Sequence, residues 1–269
     1  MAHASRARVV AARSLVSDDH LHARLERAPV PPRLQLQGGF DLIAELKLRS
    51  PAAGVLSATH EGIESRVLQY AQAGAAVVSV LTEPDHFDGS LPHLVRAATV
   101  LSPLNVPVMR KDFITDAYQL LEARVSGASG VLLIVRMLRP AELEKLLMQA
   151  HALGLFVLLE AFDEMDIEIA AELASNWEGE KSDCLIGINS RDLRSLQVIP
   201  GRLEQLASRL PLGHPRVAES GLVTAKDAAK LSGTGYTLAL VGSALMSSAD
   251  PLRLAQDMIA CGRAAAVHQ

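Results

Sequence analysis

The sequence predicts an α/β protein, a (β/α)8 TIM barrel with a short N-terminal extension. Three observations carry that expectation. Short apolar runs rich in Val, Ile, Leu and Ala alternate with longer helical patterns, which is the pattern of a parallel sheet buried on both faces. Eight such runs can be marked, and 269 residues suit one barrel of eight units. No Gly- or Pro-rich linker interrupts residues 42–262. A doubly wound open sheet is the other architecture compatible with the same alternation.

Taken in order, the start "MAHASRARVVAARSL" is rich in Arg and poor in acids and has no apolar h-region. It reads as a basic amphipathic helix and not as a secretory signal. The Pro-rich "APVPPRLQLQGG" at 28–39 marks off this extension, so the expected division is a partly helical 1–40 and a barrel catalytic domain over 41–269. Strands are expected at 42–47 (LIAELK), 76–82 (AVVSVLT), 106–111 (VPVMRK), 130–135 (GVLLIV), 156–161 (FVLLEA), 185–189 (LIGIN), 216–219 (RVAE) and 238–242 (LALVG). Between them, patterns such as "ESRVLQYAQAG", "TDAYQLLEARVSG" and "PAELEKLLMQAHALG" repeat apolar residues at three and four and end in Gly, a helix stop.

Composition narrows the function. Apolar residues make up 49% of the chain, enough for a sizeable core. The 26 basic and 30 acidic residues leave a net charge of −4, which argues against bulk nucleic-acid binding. No apolar run approaches a membrane span. Cys184 and Cys261 lie far apart without metal-type spacing and read as free thiols of a reducing, cytoplasmic compartment.

The polar residues inside the apolar runs are the informative ones. "IAELKLRSP" places Glu45 and Lys47 two apart, on one side of a strand otherwise fit for burial. Buried charges are costly unless paired, so a structural ion pair is the plain reading of that stretch alone. The same feature recurs, however, at the ends of other runs. Lys111 ends the third, Glu160 lies near the end of the fifth, and Asn189 and Arg191 share a side at the end of the sixth. Glu219 and Ser220 end the seventh, and Gly242 and Ser243 follow the eighth. In a barrel these positions converge at the C-terminal face, where active sites are built. The turns "AESGLVTAKD" and "LVGSALMSS" stand in the last two units, the usual place for a phosphate. Ordinary turn chemistry is the alternative for each turn taken singly.

In "IAELKLRSP", "AGAAVVSVLTEPDHFDGS", "VPVMRKDFITDAYQLLEARVSGASGVLLIV", "LGLFVLLEAFDE", "LIGINSRDL", "VAESGL" and "LVGSALM", in that order over roughly residues 42–250, the chain resembles the indole-3-glycerol phosphate synthase family of tryptophan biosynthesis. The resemblance implies a decarboxylating, dehydrating ring closure. 1-(2-Carboxyphenylamino)-1-deoxyribulose 5-phosphate becomes indole-3-glycerol phosphate, CO2 and water, without metal or organic cofactor. It also implies roles. Lys111 matches the general acid, Glu160 the carboxylate that handles the proton lost with water, Lys47 a second catalytic or substrate-binding lysine, and Glu45 its neighbour. Glu219 joins this charge network. Asn189, placed with the catalytic set, and Arg191 match residues that bind the anthranilate end. Ser50, Ser220, Gly221, Gly242 and Ser243 match the phosphate anchor. Phe87 and Phe113 match apolar walls, core packing being the alternative for both. The partners implied are the phosphorylated anilino-sugar substrate and other tryptophan-pathway enzymes.

Departures from the family are local. Ala52 and Ala53 stand where the family carries polar residues after "SP", and "SNWEGEKSDC" is a longer loop than usual before the sixth strand, with Trp177 available for a partner. No matched catalytic position is lost. A divergent copy serving a specialised indole pathway and a non-catalytic barrel scaffold remain as alternatives. A phosphoribosylanthranilate isomerase-like barrel would need a Cys at a strand end, whereas Cys184 begins one.

Overall fold

All eight apolar runs form strands in the computed structural model, which describes residues 1–50, 54–55, 62–193, 195 and 197–266. They are β1 Asp41–Leu46, β2 Val77–Leu81, β3 Val108–Lys111, β4 Gly130–Ile134, β5 Phe156–Ala161, β6 Cys184–Asn189, β7 Arg216–Glu219 and β8 Leu238–Val241. Every strand is parallel to its neighbours, and the ring closes because β1 pairs with both β2 and β8. Closure removes the open-sheet alternative. Four of the strands, β2, β3, β4 and β8, are a residue or two shorter than the apolar runs. Pro107 has no N–H to give a ladder, so β3 begins after it, although its carbonyl still accepts from Val78 N at 3.0 Å. Lys47 lies just past the end of β1.

The two-residue period of a strand divides each sequence between two cores. Leu42, Ala44 and Leu46 of β1 face outward and join the layer between strands and helices, with Val67, Tyr70 and Met258. Ile43 faces inward, where it meets Val77, Met109, Leu132, Leu158, Leu185, Val217 and Leu238, one from each other strand. This inner layer fills the barrel. Polar residues one or two pleats further along the same inward face have only the C-terminal mouth to occupy.

The extension closes the barrel at both ends. Two helices, α1 Ala2–Leu15 and α2 Asp18–Leu25, precede β1, and Ser17 caps the second by accepting from His20 N. Val9 of α1 and Leu21 of α2 share a cluster with Tyr118 and Leu121 of the helix Ala117–Val125, and the Tyr118 hydroxyl donates to Val16 O at 2.9 Å. Arg8 reaches from α1 to Glu83 and Asp112 at 2.8 Å each, just beyond the ends of β2 and β3. Ser5 Oγ donates to the carbonyl of Phe113. At the other end the Pro-rich segment does more than mark a boundary, since Leu34 and Leu36 pack against the inner layer. Trp177 turns back onto its own chain, edge-on to His151 at 5.0 Å, with Nε1 donating to Glu180 O. Among the described residues, no helix is long and apolar enough to cross a membrane.

Candidate active site

The inward faces of the strands converge on one cavity of about 430 Å3 at the C-terminal mouth, with polar residues from β1, β3, β5, β6 and β7 and apolar ones from β2, β4 and β8. Register explains the convergence. Asn189 pairs with Glu219 across β6 and β7, Glu160 pairs with Gly187 across β5 and β6, and Leu81 pairs with Lys111 across β2 and β3. Strands of a barrel tilt, so equivalent inward positions rise around the ring to the same rim.

The charges touch one another. Lys47 Nζ lies 2.9 Å from Glu45 Oε1. Lys111 Nζ lies 3.4 Å from Glu160 Oε1 and 3.7 Å from Glu219 Oε2. Asn189 Nδ2 donates to Glu160 Oε1 at 2.9 Å, and Asn189 Oδ1 accepts from the Arg191 backbone N–H at 2.9 Å. Asn189 thereby orients both the carboxylate beside it and the start of the following loop. Arg191 also lines the cavity, just past β6 and bridged to Val198.

Burial would strip the proton from Lys111, but the charges of Glu160, Glu219 and Glu45 outweigh it and raise the pKa above the ordinary lysine range. Glu219 moves the other way in function. Burial first, and then the charge of Glu160, push its carboxyl well above the ordinary range, against the pull of Lys111. Neither oxygen of Glu219 has a hydrogen-bond donor. A carboxyl placed like this favours its protonated form.

The turn after β7 is shaped for close approach. Ser220 and Gly221 both lie in the left-handed region, with φ of 66° and 84°. The Ser220 conformation costs about 1 kcal/mol or more. Ser190 holds it, donating its backbone N–H to Glu219 O at 2.9 Å and its hydroxyl to Ser220 O at 3.0 Å. A side chain at Gly221 would press on Ser190 Oγ and Val198 Cγ1 at 3.2 Å each. Gly242 and Ser243 stand at the start of the short helix Ser243–Ser247 beside this turn, on the same cavity.

The opposite wall is apolar. Phe87 and Phe113 lie 6.5 Å apart with a 50° tilt, and Leu132 and Ile134 of β4 line the same cavity and share a packed cluster with Phe113. Every candidate site residue whose side chain is described lines this cavity. The side chain of Ser50 and residues Ala52 and Ala53 lie outside the described residues. Leu132 and Ile134 carried no mark in the sequence, because β4 is apolar on both faces and only the structure shows which face is inward. Nor did Met1, which lines the cavity from α1, carry a local signal. Cys184 sits buried at the opposite end of β6, its thiol pushed up by burial to about 12, which removes it from the chemistry. Among the described residues, no cluster of His, Cys, Asp and Glu is placed to hold a metal ion.

Comparison with known proteins agrees with the geometry. The family model described as Indole-3-glycerol phosphate synthase matches residues 3–258. A protein of that name from Exiguobacterium sp. is 41% identical over 223 residues, 83% of each chain. Another from Mycolicibacterium vanbaalenii is 37% identical over 262 residues, 96% of this chain and 91% of its own. Among solved structures, the fold resembles that of a 3-hexulose-6-phosphate synthase from Salmonella typhimurium. The TM-score is 0.60 at 11% identity, over 82% of this chain and 98% of that one. A thiamine phosphate pyrophosphorylase from Pyrococcus furiosus gives a TM-score of 0.58 at 14% identity, over 84% and 97%. These two show a shared fold alone, whereas the family match spans nearly the whole chain: this chain belongs to the indole-3-glycerol phosphate synthase family.

Proposed function

We propose that the chain closes the indole ring of 1-(2-carboxyphenylamino)-1-deoxyribulose 5-phosphate, releasing CO2 and water, with each residue of the cavity in a stated role. It is a carbon–carbon lyase of the carboxy-lyase type. The observation that carries the role assignment is the contact of Lys111 with Glu160 and Glu219, opposite an apolar wall of aromatic size.

The aryl carbon bearing the carboxylate attacks the ketone carbon, and negative charge grows on the ketone oxygen. Lys111 is held charged for that moment and protonates it. Loss of CO2 restores the aromatic ring. Departure of the resulting hydroxyl as water needs a proton delivered to it and another removed from the ring-closed intermediate. Lys111, replenished by the proton on Glu219, delivers the first, and Glu160, oriented by Asn189, takes the second. Lys47, paired to Glu45, stands at the other side of the reacting carbons. Arg191 and Asn189 face the carboxylate of the anthranilate ring, for which a guanidinium is suited. Phe87 and Phe113 flank the ring. Ser50, Ser220, Gly221, Gly242 and Ser243 hold the phosphate.

The division into a 1–40 extension and a 41–269 catalytic barrel, the cytoplasm as compartment and other tryptophan-pathway enzymes as partners belong to the same proposal. No observation favours a specialised-pathway copy or a silent scaffold. The test is direct. Purified protein, dialysed against a chelator, is mixed with the substrate, and indole fluorescence is followed. Turnover without added metal is expected; folded protein that makes no indole, or makes it only with metal, would overturn the assignment.

A further inference from the structure

Two inward carboxyls are housed by glycines on the next strand round the ring. An added Cβ at Gly242, beside β8, would run into Oε1 of Glu45. An added Cβ at Gly187, in β6, would run into Oε1 of Glu219 and lie 3.1 Å from Leu158 Cδ1. Gly242 also adjoins the phosphate turn, so its lack of a side chain has two explanations. Gly187 has one. It lies inside a strand, and it is not among the glycines with a left-handed backbone, so no turn asks for glycine there. Glycine inside a strand weakens it. The register sets Gly187 between Glu160 of β5 and Val217 of β7, one pleat below Asn189 and Glu219. Its missing side chain is the space between two carboxyl-bearing strands, and the Glu219 carboxyl fills it.

We propose that Gly187 is a positioning residue for the reaction: its bare Cα is the slot that sets the Glu219 carboxyl against Lys111 and Glu160. The inference rests on the roles given above to Lys111 and Glu219. No donor from another residue reaches either oxygen of Glu219, whose polar neighbours are the Lys111 ammonium and the Glu160 carboxyl. The 3.7 Å contact with Lys111 is ionic and weakly directional. Shape is what remains to fix the carboxyl. A methyl group at Gly187 meets the far end of a flexible side chain and not backbone, so the strand stays and the carboxyl moves.

Four proteins test this: the parent, Gly187→Ala, Glu219→Asp and the double variant. Asp is one methylene shorter and withdraws the carboxyl from the slot. Gly187→Ala is expected to lower kcat by about 10- to 100-fold, the scale of a displacement of about 1 Å in a catalytic group, with KM nearly unchanged. The basic limb of its kcat/KM profile should move to lower pH, because a Glu219 carboxyl displaced from beside Glu160 loses part of the repulsion that keeps it protonated. In the Glu219→Asp background the same glycine substitution should cost far less. Thermal melts should show the same coupling, the double variant losing less than the two singles together. Equal kcat losses in both backgrounds, or an unmoved kcat and pH profile in Gly187→Ala, would overturn the slot. If the parent itself makes no indole, the proposed function falls, and the melts still decide the slot: additive losses refute it and coupled losses support it.

Discussion

Replacing Lys111 by Met removes an ammonium that three carboxyls surround and leaves its stem volume in place. Two separate consequences follow from the geometry. Loss of a positioned acid is expected to lower kcat by about 10²- to 10⁴-fold, with KM much less affected because the phosphate and anthranilate contacts lie elsewhere in the cavity. The fold should also suffer, because Glu160 and Glu219 are left facing each other in a buried site without the cation 3.4 and 3.7 Å away. Breaking a buried pair in this way costs about 3–5 kcal/mol. The lower end applies here, since Asn189 still donates to Glu160 and Glu219 can take a proton. At about 2–4 °C per kcal/mol for a chain approaching this size, the melting temperature should fall by about 6–12 °C. The loss has a pH signature. In the parent, Lys111 has a raised pKa, so its contribution is complete below the ordinary lysine range and is lost only above it. In the variant the carboxyl pair carries the change. Its folded pKa is raised, so stability is present at low pH and is lost as pH rises through that value. The gap in melting temperature between parent and variant should therefore widen as pH rises above the ordinary carboxyl range, where the raised Glu219 carboxyl loses its proton. Adding Glu219→Gln removes one facing carboxyl and offers an amide donor to Glu160, so the double variant should regain most of the melting temperature and none of the kcat. The assays are steady-state kinetics by indole fluorescence and melts across that pH range. A double variant as unstable as the single, or a Met variant that changes KM and spares kcat, would refute this reasoning.

Two further predictions concern the phosphate end and the extension. Ser243→Ala should weaken binding of substrate and product by about 1–2 kcal/mol, one hydrogen bond to a charged group and roughly 5- to 30-fold in Kd, and inorganic phosphate should compete with substrate in the parent; an unchanged product Kd by calorimetry removes Ser243 from the anchor. Arg8→Ala should cost about 1–3 kcal/mol in denaturant melts, because Glu83 and Asp112 are buried and each loses an ion pair at 2.8 Å. Burial opposes ionisation of Asp112, yet Arg110, Thr82 and Arg8 together hold its pKa below the ordinary carboxyl range. Its stabilisation is therefore present above the unfolded pKa and lost as pH falls through the folded one. Without Arg8 that folded value rises, so acid unfolding should begin at higher pH; an unmoved acid transition counts against the clamp.

Much of the chain was legible before any coordinates because strands and helices write different periods. The eight apolar runs, their division between two faces and the polar groups at their ends follow from a two-residue repeat that each segment carries by itself. Lys111, Glu160, Asn189 and Glu219 are identifiable as polar residues at the ends of apolar runs, whereas the wall of Leu132 and Ile134 is not, because β4 is apolar on both faces. Closure was not legible. Local alternation is identical in a barrel and an open sheet, and the difference lies in the pairing of β1 with β8, between segments at opposite ends of the chain. Nor did any local signal tell Glu45, Glu160 and Glu219 apart. Each is a glutamate on an inward strand face. Only the tertiary structure decides that Glu160 receives the Asn189 amide while Glu219 has no donor and takes a proton. The same holds for Gly187, a plain strand residue until Glu219 of the next strand is seen to occupy its missing side chain. The physical reason is one of range. Periodicity is set by the backbone and recorded in every few residues, whereas charge state and fit depend on distances of a few ångströms between strands that the chain joins only through long loops and helices.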